Sequence, residues 1–100
     1  MLELPINITP RALKEAKYIY QNKNIPADYS LRIGMRSGGC GVAGFFIGFD
    51  KAGEKDEQFE LEGLTVLIDK RHVMYLFDQE LDFEEREDER GFVFNKMAVK

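Results

Sequence analysis

The apolar residues of this chain change their spacing from helical to alternating at Tyr29, and that change sets the fold class. Between Pro10 and Gln21 the spacing is helical. Ala12, Leu13, Ala16, Ile19 and Tyr20 share one face, while Arg11, Lys14, Lys17 and Gln21 face water. From Tyr29 onward the period is 2: Leu31, Ile33 and Met35 alternate with Arg32, Gly34 and Arg36, as in a strand with one buried face. Phe45, Ile47 and Phe49 repeat that alternation around Phe46 and Gly48.

Turn chemistry supplies the boundaries. Ile6 and Ile8 alternate with Asn7 and Thr9 as a short edge strand, with Pro5 just ahead of it, where a strand tolerates proline. Thr9-Pro10 reads as an N-cap followed by proline at the first helical position. The helix is expected to stop near Asn22–Asn24, before a turn at Ile25–Asp28. A polar turn at Asp50–Asp56 follows the second strand. Glu62-Gly63, between Phe59, Leu61 and Leu64, Val66, Ile68, reads as a hairpin. Asp69 is placed to cap a short second helix carrying Val73, Leu76 and Phe77. Leu81 and Phe83 begin another strand, Phe92 and Phe94 a last one. The expectation is α+β: one compact domain, residues 1–100, of mostly antiparallel mixed sheet with two flanking helices.

Composition narrows the function. Of 100 residues 18 are acidic and 14 basic, a net charge of −4, so the basic face of a nucleic-acid partner is not expected. No apolar run approaches the roughly 20 residues of a membrane helix. The opening MLELPINITP has neither the basic nor the apolar region of a signal peptide. A single cysteine forms no internal disulfide. These features predict a cytoplasmic protein without a membrane partner.

The cysteine sits in a notable place. Six of the nine glycines lie between Gly34 and Gly48, and Gly38, Gly39 and Gly41 crowd around Cys40. Glycine permits positive φ and close backbone approach, so such a loop turns its amides toward a bound group. N–H donors, with Arg36 nearby in sequence, would lower a thiol pKa and favour the thiolate, which binds metal or attacks electrophiles. The plainer reading is a small buried residue beside a tight turn.

Other constellations carry less. His72, the one histidine, lies at the start of the expected second helix, where a solvated ring is the simpler role than a metal ligand. The run Glu84–Arg90 reads as a solvated turn between two strands, or as an acidic docking surface. The glycine loop lacks the Gly-Lys-Ser/Thr ending of a phosphate loop, and nothing suggests a Ser–His–Asp triad. No catalytic residue is expected, and the protein is not read as an enzyme.

Leu31-Arg32-Ile33-Gly34-Met35-Arg36-Ser37-Gly38-Gly39-Cys40-Gly41 resembles the first cysteine motif of the HesB/IscA group, the A-type iron–sulfur carriers. Thr9-Pro10-Arg11-Ala12, Leu64–Asp69, Leu81-Asp82-Phe83 and Gly91-Phe92-Val93-Phe94-Asn95 follow in that family's order. The resemblance implies a HesB/IscA-like fold and a role in iron–sulfur cluster assembly. It also implies a homo-oligomer, with acceptor apoproteins or other cluster-assembly proteins as partners. By the same resemblance Cys40 is the metal ligand for iron or a 2Fe–2S cluster, and Gly38, Gly39 and Gly41 shape the binding loop.

The family's Cys-Gly-Cys pair after the Gly-Phe strand has no counterpart in Lys96–Lys100. A 2Fe–2S cluster takes four ligands, normally thiolates, against the one that these residues offer. Two readings stay open. One is a carrier that binds iron or a cluster transiently through Cys40 and passes it on. The other is a protein-interaction module that keeps the fold without metal, with Cys40 structural or redox-sensitive.

Overall fold

Thr9 and Pro10 start helix α1, Pro10–Asn22, as expected. In this computed structural model, which describes residues 3–37 and 43–97, Thr9 Oγ1 accepts the Ala12 N–H at 3.2 Å. Pro10 stands in the first turn, where no N–H is needed. Ala12, Leu13 and Ala16 are buried, and Ile19 and Tyr20 are half-buried beside them. The helix ends as the Lys23 N–H donates to the Ile19 carbonyl at 3.0 Å, and Asn24 turns the chain at a φ of 57°.

The described residues form seven strands in two sheets. They are β1 (Asn7–Ile8), β2 (Tyr29–Ser37), β3 (Ala43–Lys51), β4 (Asp56–Leu61), β5 (Leu64–Asp69), β6 (Gln79–Glu85) and β7 (Arg90–Lys96). One sheet has the order β1-β6-β7 and the other β3-β2-β5-β4. β2 with β3, β4 with β5 and β6 with β7 pair antiparallel, while β1 with β6 and β2 with β5 run parallel. The mixed, mostly antiparallel α+β expectation therefore holds.

Both sheets and α1 contribute to one core, centred on Leu31, Ile33, Val66, Ile68, Leu76 and Leu81. Each such side chain contributes about 1.5–3 kcal/mol by leaving water. β5 lies between β2 and β4, and its Val66, Leu67 and Ile68 are all buried, the pattern of a strand covered on both faces. Phe45 of β3 stacks on Phe94 of β7 with ring centroids 5.3 Å apart, joining the two sheets.

The expected second helix is not formed. Val73–Tyr75 make a single 3-10 turn, and Phe77, expected on its buried face, is 63% exposed. The reason lies in how the segment is tethered. Asp69 Oδ1 accepts the Arg71 N–H at 2.8 Å, and the Asp69 carbonyl accepts the His72 N–H at 2.8 Å. Further three-residue turns follow, from Tyr75 to His72, Leu76 to Val73 and Gln79 to Leu76. With both ends held by strands, the stretch is too short to recover the cost of nucleating an α-helix. Among the described residues no helix is long and apolar enough to cross a membrane.

Candidate functional site

β2 and β3 pair along their whole length, from Tyr29 with Lys51 to Ser37 with Ala43. The expected loop, with Gly38, Gly39, Cys40 and Gly41, connects these strands and lies outside the described residues. What is described is the base on which it stands. Arg36 is exposed, and its guanidinium carbon lies 5.2 Å from the centroid of the Phe46 ring, a cation–π contact across the two strands.

Lower on the same face, Arg32 ties the hairpin's other end. Its guanidinium donates to both Asp56 carboxylate oxygens at 2.7 and 2.6 Å, to Asp50 at 3.0 Å and to the Lys51 carbonyl at 3.1 Å. Those bonds hold Asp56 below its ordinary carboxylate pKa and raise that of Arg32. With every charge answered by a partner, this cluster is a clamp on the β3–β4 turn rather than a vacant site.

His72 departs from expectation. Its ring is not a solvated helix-end group but sits half-buried against β2. The Met35 N–H donates to His72 Nδ1 at 3.3 Å. A Cβ on Gly34 would lie 3.0 Å from that nitrogen and 3.0 Å from the Phe46 ring, so any larger residue would have to displace one of the rings. An Nδ1 that accepts a hydrogen bond leaves the proton on Nε2, whereas ligating histidines donate from the nitrogen that does not bind metal. In this arrangement His72 is not set up as a metal ligand. Just ahead of it, Asp69 is held well below the usual carboxylate range, first by the Arg71 side chain and also by its N–H. The sequence signal for His72 was the glycine inside an otherwise regular strand.

The acidic run takes its expected place. Glu84 and Glu85 close β6, residues 85–90 are exposed, and Arg90 pairs with Glu15 at 3.1 Å and Glu85 at 3.4 Å. Among the described residues no group of three His, Cys, Asp or Glu side chains is gathered to hold a metal ion.

A family model described as iron–sulphur cluster biosynthesis matches residues 4–100. The iron-binding protein IscA of Xenorhabdus nematophila is 31% identical over 97 residues, covering 96% of this chain and 89% of that protein. The fold is similar to that of Escherichia coli SufA, a protein involved in biosynthesis of iron–sulfur clusters. The TM-score is 0.75 at 19% identity, over 95% of this chain and 82% of that one. It is also similar to the crystal structure of IscA with the 2Fe–2S cluster, with a TM-score of 0.67 at 20% identity over 91% and 81% of the two chains.

Proposed function

The chain belongs to the iron–sulphur cluster biosynthesis family, and from that premise we propose that it is a non-catalytic carrier whose cargo is iron or a 2Fe–2S cluster. It takes up the cargo through Cys40 in the cytoplasm and passes it to acceptor apoproteins or other cluster-assembly proteins. The observation that carries this reading is the family match over residues 4–100, which spans the Gly-flanked cysteine motif.

The chemistry follows from ligand exchange. Thiolate is the ligand that sulfide-bridged iron prefers. Cys40, flanked in sequence by Gly38, Gly39 and Gly41, is the one thiol these residues bring to such a site. These 100 residues contain one cysteine, so any further thiolate comes from outside them, and a second copy brings a second Cys40. Coordination of that kind stays open to an incoming thiolate from an acceptor. This favours transfer over storage.

The test is anaerobic incubation with ferrous iron, sulfide and a reductant, followed by iron analysis and the visible absorption spectrum. Wild type is expected to gain iron and visible absorption. Cys40→Ser is expected to gain neither while keeping its circular dichroism, since serine is close in size but a weaker ligand. Unchanged iron content in Cys40→Ser overturns the assignment of Cys40. A wild type that takes up no iron assigns the fold to protein interaction instead.

A further inference from the structure

We infer that His72 is a positioning residue for the hairpin that carries Cys40, its imidazole accepting the Met35 N–H on the side of β2 where, among the described residues, no strand is paired beyond Arg32. The parallel pairing of β2 with β5 covers Leu31 with Val66 and Arg32 with Leu67. Pairing with β3 continues to Ser37. Among the described residues, therefore, β2 beyond Arg32 is laddered only to β3. On the other side the chain leaves β5, turns at Asp69 through the His72 N–H, and brings the ring back to the Met35 N–H.

Two further features fit this role. Gly34 is buried, and its missing side chain is the space in which the His72 ring and the Phe46 ring converge. The contact thus ties the 69–72 turn to Met35 on β2, and the Phe46 ring of β3 borders the same space over Gly34. An edge N–H without a partner exchanges with water and lets the strand end fray, whereas one bound to a packed ring is held. Met35 lies five positions before Cys40, so the anchor acts on the stalk of the loop. Its effect on cargo rests on the carrier reading; the anchoring itself does not.

The experiment uses the metal-free chain with two substitutions. His72→Leu keeps bulk and removes the acceptor, while His72→Asn places an oxygen where Nδ1 stands. Amide exchange at Met35 and the rate of Cys40 alkylation by iodoacetamide are measured in each. In His72→Leu, Met35 exchange is expected to rise about tenfold, the effect of one ordinary hydrogen bond. Cys40 alkylation should change several-fold, and His72→Asn should restore both. A wild-type alkylation rate in His72→Leu overturns the inference, as does an Asn variant that behaves like Leu. Should His72→Leu not fold, Gly34→Ala pushes the ring from the strand side and is read the same way: a wild-type rate there overturns the inference. Failure of the chain to take up iron would count against the carrier function and leave these two readouts unaffected.

Discussion

Arg11 grips Asp82 with two hydrogen bonds, Nε to Oδ1 at 2.7 Å and Nη2 to Oδ2 at 2.6 Å, across 71 positions of sequence. The same carboxylate accepts the Thr9 hydroxyl at 2.7 Å and the Phe83 N–H at 2.8 Å. Thr9, whose hydroxyl caps α1, also donates its own N–H to the Leu81 carbonyl at 3.0 Å. The start of the helix and the middle of β6 are thereby one unit. The Asp82 side chain is 9% exposed and that of Arg11 64%, so the carboxylate relies on these donors while the cation keeps much of its water.

Acid is expected to loosen that unit. Asp82 is held well below the usual carboxylate range, first by Arg11 and then by Thr9, and Asp69 by Arg71; Asp56 is lowered by Arg32. A carboxyl whose folded pKa is depressed stabilises the fold above its unfolded value of about 3.9, and that contribution fades as pH falls toward the folded value. The thermal midpoint should stay nearly level from pH 7 to about 5 and fall steeply below about 4. In Asp82→Asn the midpoint should be lower at pH 7 and the acid slope shallower. An unchanged slope would mean that Asp82 does not carry it.

Glycine positions should separate by what surrounds them. Alanine at Gly34 meets the His72 and Phe46 rings at 3.0 Å and is expected to cost about 1–3 kcal/mol in urea unfolding. Gly44 has open space around its missing Cβ, and Gly44→Ala should be within about 0.5 kcal/mol of wild type. Equal effects at both positions would contradict the crowding at Gly34.

The β4–β5 turn offers a stabilising change. Leu61 pairs with Leu64 across Glu62 at a φ of 48° and Gly63 at 88°, so both central residues are left-handed. That conformation suits Asn-Gly better than Glu-Gly. Glu62→Asn should raise stability by roughly 0.5–1 kcal/mol, and Gly63→Val should lower it by more than 1 kcal/mol. Thermal unfolding of the two variants measures both signs.

Legibility in the sequence followed the range of the forces involved. Helix α1, its Thr9 cap, the alternation along β2 and β3 and the Glu62-Gly63 turn were readable because each is decided within a few residues, by backbone sterics and side-chain period. Cys40 was readable as a candidate from the glycines beside it and the motif around them. Asp69 and Val73–Phe77 misled for the converse reason. A cap and an i, i+3, i+4 pattern were both present, but tethering to β5 and β6 left only a 3-10 turn.

What the sequence by itself determined was helix α1, the alternation along the strands and the α+β class, with Cys40 as the candidate thiolate. What only the tertiary structure decided was which distant groups meet: Arg11 with Asp82, Arg32 with Asp56, and His72 with the backbone of Met35. Hydrophobic period is a property of one segment and survives in the linear chain. A hydrogen bond between segments exists only once burial has brought them together and left a polar group that must find a partner there. Gly34 carried the one local trace of such a meeting, a missing side chain inside a strand, and the ring that requires it came from 38 positions away.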